Sequence, residues 1–136
     1  MAIAVTSSNA TAVLCHHRIL VVEDDEIVRA LLRELLSALS YEVVEANCAT
    51  QALALLQTDT IDLILLDKEL PDGDGIQLCR HARETLGLCI PIIMLTASTE
   101  PGDMSRSMLA GAVDFMRKPF VSDMLLARIR YALHIN

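Results

Sequence analysis

Residues 61–75 have the sequence IDLILLDKELPDGDG, in which an apolar run ends at the carboxylate of Asp67 and a turn-forming segment follows. A continuous run of bulky aliphatic residues is typical of a central parallel strand, because helices cover both faces of such a sheet. Asp67 is therefore expected at the end of a buried strand, facing a loop. Residues 72–75 predict a turn and not a calcium loop, because the late glutamate of an EF-hand register is missing.

Other apolar runs also end at polar side chains. One stops at Glu23 and Asp24, another stops at Thr96, and the last stops at Lys118. If all these runs are parallel strands of one sheet, their carboxyl ends share one edge, where open α/β sheets bind their ligands. The carboxylates, the hydroxyl and the amine would then converge on one point.

The apolar pattern alternates between short β-branched runs and longer segments of helical period, which is typical of repeated βα units. Five units fit, with strands at residues 18–22, 41–45, 61–66, 92–95 and 113–117 and helices at residues 26–39, 48–57, 75–86, 101–109 and 122–134. Right-handed crossovers favour a doubly wound, flavodoxin-like α/β fold, a three-layer sandwich around a parallel five-stranded sheet in the order 2-1-3-4-5. This order places Glu23, Asp24 and Asp67 side by side.

Length and composition narrow the possible classes of protein. The chain of 136 residues is expected to form one domain, with residues 1–17 as an N-terminal extension and residues 18–136 as the folded part. A net charge of −7 and an aromatic content of 3% both oppose direct nucleic-acid binding. No apolar run approaches the ~20 residues of a membrane helix. The four cysteines are scattered, as in a reduced cytoplasmic protein.

The predicted cluster of carboxylates requires positive charge, because like charges a few ångströms apart disfavour the ionised form. Hard oxygen ligands suit Mg²⁺, which binds one or two carboxylates together with waters and a phosphate group. Asp67 can then serve as a metal ligand and as a nucleophile toward a phosphoryl group. Thr96 can donate a hydrogen bond to a phosphoryl oxygen, and Lys118 can supply compensating charge during transfer.

Each of these residues also has an ordinary structural explanation. Asp24 or Asp25 alone is equally well interpreted as a helix N-cap. Thr96 alone fits a strand-end hydroxyl, and Lys118 alone fits a solvated surface charge. Only their joint occurrence, in which each closes a different predicted strand in this order, specifically indicates a functional site.

The chain resembles the receiver domain of two-component response regulators. The resemblance covers about residues 18–134 and rests on ILVVEDD at 19–25, LLD at 65–67, LPDGDG at 70–75, LTA at 95–97 and RKPF at 117–120. It implies that Asp67 is phosphorylated by a partner histidine kinase or phosphotransfer protein. It also implies that Asp24, Asp67 and the backbone carbonyl of Glu69 bind Mg²⁺ directly, with Glu23 acting through water.

The resemblance further implies a conformational switch that controls a downstream effector. Thr96 and Lys118 would contact the phosphoryl group, with Thr96 moving toward it while the side chain of Phe115 turns inward. Ala97 leaves the site open to a bulky donor. We expect Glu69 and Ser98 to tune the phosphoryl lifetime.

The resemblance also points to the fourth helix, fifth strand and fifth helix as a surface for targets or for a homodimer. Asp114, Arg106, Arg128 and Arg130 could form ion pairs there, although solvated charges explain them equally well. Met124 stands where receivers of transcription factors frequently carry Glu, which weakens the case for their dimer.

The expected function is thus a phosphoacceptor switch that catalyses only its own phosphorylation and dephosphorylation. One alternative is an aspartyl-phosphate phosphatase of the haloacid dehalogenase type, which usually carries a second Asp two residues after the nucleophile. Asp67 is followed instead by Lys68 and Glu69. A second alternative is a receiver-like scaffold that is not phosphorylated.

Overall fold

A computed structural model describes residues 16–134, which form a parallel sheet between two layers of helices. The strands are β1 (Arg18–Val22), β2 (Glu42–Ala46), β3 (Leu63–Leu66), β4 (Glu69–Leu70), β5 (Gly73–Asp74), β6 (Ile92–Thr96) and β7 (Asp114–Arg117). The helices are α1 (Glu26–Ser37), α2 (Ala49–Thr58), α3 (Gly75–Glu84), α4 (Asp103–Leu109) and α5 (Ser122–His134). The expected extension at residues 1–17 lies mostly outside the described residues, so its boundary stays a prediction.

The five-stranded sheet has the order β2-β1-β3-β6-β7, and every neighbouring pair is parallel. This confirms the predicted order 2-1-3-4-5 and the flavodoxin-like doubly wound fold. The remaining strands, β4 and β5, form a separate antiparallel hairpin directly after β3. The hairpin was not predicted, because its strands are too short to show any period.

Alternate residues of each strand enter two separate cores, one on each face of the sheet. On β3, Leu63 and Leu65 pack with the buried side chains of α1 and α5, such as Leu32. Ile64 and Leu66 face the other core, to which α2, α3 and the end of α4 contribute. Because both faces are covered, β3 is apolar at every position, as expected for a central parallel strand.

Several element boundaries differ from the predicted ones. The first helix ends at Ser37 and not at residue 39, because Ser40 adopts a left-handed conformation (φ 68°) and the chain turns there. Gly102 is likewise left-handed (φ 86°), so α4 begins at Asp103 and not at residue 101. Gly87 (φ 66°) turns the chain two residues beyond Thr85, the C-terminal cap of α3.

The remaining differences are small. The second strand lies one residue later than predicted, the third begins at Leu63, the fourth extends to Thr96 and the fifth begins at Asp114. The turn predicted at residues 72–75 is confined to Pro71 and Asp72. No helix within residues 16–134 is long and apolar enough to cross a bilayer.

Candidate functional site

Backbone pairing carries two acidic residues to the same edge of the sheet. Val22 is the register partner of Leu66, and the N–H of Asp67 donates to the carbonyl of Val22 at 3.1 Å. Glu23, the residue after Val22, donates its N–H to Ala46 at 3.0 Å. Glu23 and Asp67 therefore leave adjacent strands at the same level.

The other half of the sheet places a hydroxyl and an amine at this edge. Thr96 closes β6 opposite Arg117, and the N–H of Lys118 donates to the carbonyl of Thr96 at 2.9 Å. The side chain of Lys118 then reaches across the edge to the carboxylates. The predicted convergence of these residues thus follows from strand register.

The start of α3 packs directly beneath Asp67. The N–H of Gly75 donates to the carbonyl of Lys68 at 2.6 Å. A Cβ at position 75 would lie 2.0 Å from the carbonyl oxygen of Asp67. Only glycine fits this close approach, and it fixes the backbone that carries the Asp67 carboxylate.

Three acidic side chains meet at the edge. One carboxylate oxygen from each of Glu23, Asp24 and Asp67 lies within 4.8 Å of the others. Glu23 and Asp67 are buried, with 3% and 7% of their surfaces exposed, whereas Asp24 is exposed. A cluster of hard oxygen donors that opens to solvent on one side can hold a metal ion.

The neighbouring Asp25 has a structural role. Its Oδ1 atom accepts the N–H groups of Ile27 at 2.9 Å and Val28 at 3.3 Å, which makes it the N-cap of α1. The carboxylate of Asp24 accepts no hydrogen bond from residues 16–134 and is free for a ligand. The question left open between Asp24 and Asp25 is therefore answered in favour of Asp25 as the cap.

Lys118 bridges two of the carboxylates. Its Nζ lies 3.1 Å from Oδ2 of Asp67 and is also bonded to Oε1 of Glu23. Burial lowers the pKa of the Lys118 ammonium, but its hydrogen bond to Glu23 and the charge of Asp67 outweigh burial and raise the pKa above its usual value. Burial also raises the pKa of Glu23, against the opposing effect of Lys118. The cluster therefore contains three carboxylates and one ammonium, which contacts two of them, and this leaves excess negative charge.

The second oxygen of Asp67 also has a partner. Its Oδ1 atom accepts the N–H of Glu69 at 3.2 Å, and the side chain of Glu69 is exposed. Both oxygens are thus oriented, one by the loop that follows and one by Lys118. The Asp67 carboxylate is fixed at the mouth of the acidic cluster.

Thr96 is fully buried, and its Oγ atom accepts the N–H of Ser98 at 3.1 Å. Its hydroxyl hydrogen has no acceptor among the residues that the structure describes. A buried hydroxyl with an unused donor at the site edge is suited to an incoming oxygen atom.

Phe115 is also buried, and the guanidinium carbon of Arg117 lies 5.4 Å from its ring centroid. Arg117 additionally donates to the carbonyl of Ser98. The aromatic side chain expected to move is thus inward in this structure, and Arg117 joins it to the loop after β6.

Residues 19–130 match the response regulator receiver domain. The chain belongs to this family. As a receiver domain it is a module of two-component response regulators and not a conventional enzyme. The match gives no support to the phosphatase alternative.

Curated relatives agree with this assignment. YrkP of Bacillus subtilis strain 168, an uncharacterized transcriptional regulatory protein, is 42% identical over 113 residues, covering 83% of this chain and 48% of YrkP. The response regulator MprA of Mycobacterium leprae strain TN is 42% identical over 116 residues, covering 85% of this chain and 50% of MprA. The receiver domain therefore spans about half the length of these relatives.

Solved structures show the same fold. A CheY-like receiver domain protein from Methanospirillum hungatei JF-1 superposes with a TM-score of 0.83 at 30% identity, covering 88% of this chain and 94% of that one. The BeF₃-activated N-terminal receiver domain of Klebsiella pneumoniae RstA gives 0.81 at 33% identity, covering 86% and 98%.

Beside the site, the receiver domain contains a charged network that the sequence did not predict. Lys68, the residue after Asp67, lies 2.6 Å from Glu100 and 3.2 Å from Asp103, which is fully buried at the start of α4. Asp103 also binds Ser98 and Arg106. In the sequence, Asp103 follows Pro-Gly and indicates nothing beyond an acidic first helical turn, so no signal marks its burial.

The predicted surface charges are only partly paired. Arg128 lies 2.6 Å from Asp114, so this expected ion pair forms. Arg106 pairs instead with Glu100 and Asp103. Arg130 makes no ion pair within the described part of the receiver domain.

Proposed function

We propose that Asp67 accepts a phosphoryl group from the phosphohistidine of a sensor histidine kinase or phosphotransfer protein, in a Mg²⁺-dependent reaction. The observation that carries this proposal is the position of the Asp67 carboxylate, held between the N–H of Glu69 and the ammonium of Lys118 at the acidic cluster. Family membership supports the reaction class, and the geometry supports Asp67 as the acceptor.

The ligands proposed for Mg²⁺ are Asp24, Asp67 and the main-chain carbonyl of Glu69, with Glu23 acting through water. The exposed carboxylate of Asp24 and the excess negative charge of the cluster support this assignment. Bound Mg²⁺ would supply positive charge to the phosphoryl oxygens.

The proposed transfer breaks the N–P bond of the donor and forms an O–P bond to Asp67. A carboxylate oxygen of Asp67 attacks phosphorus, and the bonding pair returns to the imidazole nitrogen of the donor. Lys118, already 3.1 Å from Oδ2, offsets the charge that gathers on the phosphoryl oxygens. The hydroxyl of Thr96, whose hydrogen has no acceptor among the described residues, donates a hydrogen bond to one of those oxygens.

The proposed switch couples formation of the O–P bond at Asp67 to the positions of Thr96 and Phe115. When Thr96 moves toward the phosphoryl group, Phe115, which is already buried in this structure, keeps its inward position behind it. The burial of Phe115 and its contact with Arg117, which also binds the Ser98 carbonyl, support this coupling. The resulting shift between two conformations would control a downstream effector.

Beside the site, the receiver domain has a surface that suits a donor protein. A groove of about 380 Å³ is lined by Val28, Leu31 and Phe120, and Lys118 itself forms part of its wall. Ile27 on the same helix is 81% exposed. We assign this apolar surface to the donor, because a partner seated there brings its phosphohistidine to Asp67.

The same proposal implies a cytoplasmic location, where ATP-dependent kinases act.

A second surface is proposed for a homodimer, through α4, β7 and α5. Its exposed apolar side chains include Met104, Met108 and Tyr131. Sedimentation of the receiver domain with and without beryllofluoride tests this assignment. Association that increases with beryllofluoride supports it, and a monomer under both conditions contradicts it.

The acceptor is tested by intact-mass spectrometry after treatment with acetyl phosphate, with and without Mg²⁺. We expect one hydroxylamine-labile phosphoryl adduct in the wild type and in the surface control Asp123→Asn, and none in Asp67→Asn. Absence of both the adduct and a beryllofluoride complex in the wild type would favour the scaffold alternative. Turnover of a small phosphate ester would favour the phosphatase alternative.

A further inference from the structure

Asp103 is a fully buried carboxylate outside the acidic cluster. Burial alone would raise its pKa, but the hydrogen bond from Ser98 and the ammonium of Lys68 outweigh burial and hold the pKa below its usual value. A buried charge is stable only when it is paired and hydrogen-bonded, so its partners show what it holds in place. Two of its partners, Lys68 and Ser98, lie on the loops that follow β3 and β6, and the third, Arg106, lies on α4 itself.

One partner leads to Thr96. The hydroxyl of Ser98 donates to Oδ2 of Asp103 at 2.5 Å, while the N–H of Ser98 donates to Oγ of Thr96 at 3.1 Å. Asp103 therefore fixes the residue that orients the Thr96 hydroxyl. One lone pair of that hydroxyl oxygen is engaged by Ser98, and a hydroxyl polarised in this way is a stronger donor.

A second partner leads to Asp67. The ammonium of Lys68 lies 3.2 Å from Oδ1 of Asp103, and only 12% of the Lys68 side chain is exposed. Lys68 occupies the position between the phosphoacceptor and Glu69. Asp103 thus anchors the loop that follows Asp67 and the loop that follows Thr96, although it contacts neither the acidic cluster nor the groove beside it.

We propose that Asp103 is a positioning residue for phosphoryl transfer, which sets the Thr96 hydroxyl through Ser98 and holds the loop after Asp67 through Lys68. This inference rests on the proposed function of Asp67. It assigns to α4 a direct part in forming the phosphoryl site.

The test is calorimetric titration of beryllofluoride, a phosphoryl mimic, into the full chain at saturating Mg²⁺. We expect Asp103→Asn and Ser98→Ala to weaken beryllofluoride binding about tenfold, since misplacing one donor costs part of the 10²- to 10³-fold loss seen on removing one. Mg²⁺ affinity, measured separately by the same method, should stay within about twofold of the wild type, because Asp103 is not one of the clustered carboxylates.

A double-mutant cycle separates positioning from general damage to α4. In a Thr96→Ala background, Asp103→Asn should weaken beryllofluoride binding less than it does in the wild type, because the hydroxyl it orients through Ser98 is gone and only its contact with Lys68 remains. Ser107→Ala is the matched control, since it removes a buried hydroxyl from the same helix that has no partner among the described residues. Ser107→Ala should bind as the wild type does.

The outcomes distinguish this inference from the proposed function. If the wild type binds beryllofluoride and Asp103→Asn binds it equally well, the role of Asp103 is refuted and the acceptor role stands. Fully additive effects with Thr96→Ala, or an equal loss of Mg²⁺ affinity, also refute it. If Asp103→Asn does not fold, Ser98→Ala alone decides, because it removes the hydroxyl that binds Asp103, together with the long bond from the N–H of Glu100 at 3.3 Å, and leaves the Asp103 carboxylate in place. A wild type that never binds beryllofluoride overturns the proposed function itself.

Discussion

At the scale of single residues, Gly75 makes the sharpest steric prediction. We expect Gly75→Ala to lower the free energy of unfolding by about 3 kcal/mol, at the upper end of the usual cost of overpacking, because its Cβ would lie 2.0 Å from the carbonyl of Asp67. Phosphorylation by acetyl phosphate should also slow, since Asp67 must shift. Gly73→Ala is the control, because no atom lies within 4 Å of its added Cβ. Chemical denaturation of both variants checks the prediction, and equal losses would contradict it.

A second residue-scale prediction concerns the lifetime of the phosphoryl group. The exposed carboxylate of Glu69 lies two residues beyond Asp67, where it adds negative charge and can accept a proton from an attacking water. We expect Glu69→Asn to slow dephosphorylation by roughly 3- to 10-fold, well below the ~10²-fold effect of an aligned general base. Decay of the adduct in intact-mass spectra measures the rate. An unchanged rate would exclude Glu69 as a determinant.

The residues found from sequence are those that close strands. Asp67, Thr96 and Lys118 were predictable because each closes a predicted strand, and parallel strands bring such ends together. Asp103 was not predictable in this way. Its importance comes from contacts across the chain to Lys68 and within the loop to Ser98, and neither contact leaves a periodic pattern.

At the scale of secondary structure elements, Asp72, which lies in the turn between β4 and β5, caps the N-terminus of α2. The N-cap residue of α2, Cys48, makes no capping bond. Asp72 in the hairpin turn instead accepts the N–H groups of Ala49 at 2.7 Å and Thr50 at 2.9 Å, and the hydroxyl of Thr50 at 2.7 Å. The Thr50 hydroxyl and these N–H groups lower the pKa of Asp72 to about 2.

This contact predicts a pH-dependent contribution to stability. Because the folded-state pKa of Asp72 is depressed, its contribution is complete above about pH 4 and is lost as the pH falls through about 2. Asp72→Asn should therefore lower the melting temperature at pH 7, and the difference from the wild type should shrink between pH 4 and pH 2. Thermal unfolding across this range measures it, with Asp123→Asn as the surface control. A difference that is constant with pH would rule out the capping carboxylate as its source.

Element boundaries were harder to predict than elements. The hydrophobic period located all five helices, but Ser40 and Gly102 end or begin them by adopting left-handed conformations. In the β4–β5 hairpin, the turn residue Asp72 is bonded to the start of α2, which is a tertiary contact. A pattern along the sequence cannot report such a contact, so only a turn was expected there.

At the scale of the whole molecule, the sheet order was predictable because few topologies allow five right-handed βα units to bury both sheet faces. The same topology creates an electrostatic cost. It brings Glu23, Asp24 and Asp67 within 4.8 Å of one another in a protein of net charge −7, with Lys118 as the bridging cation. The metal-free fold therefore carries repulsion at its functional edge that a divalent cation would relieve.

This repulsion predicts that Mg²⁺ stabilises the folded state. A ligand at 100 times its dissociation constant contributes about 2.7 kcal/mol, which raises the melting temperature of a domain of this size by roughly 5–10 °C. We expect this rise in the wild type and in Asp123→Asn, relative to NaCl of equal ionic strength. In Asp24→Asn the metal-free protein should melt higher than the wild type, because one repelling charge is gone, and added Mg²⁺ should have little further effect. Differential scanning calorimetry measures both quantities. A destabilised Asp24→Asn that still responds fully to Mg²⁺ would remove Asp24 from the proposed ligand set and leave the acceptor role of Asp67 to its own test.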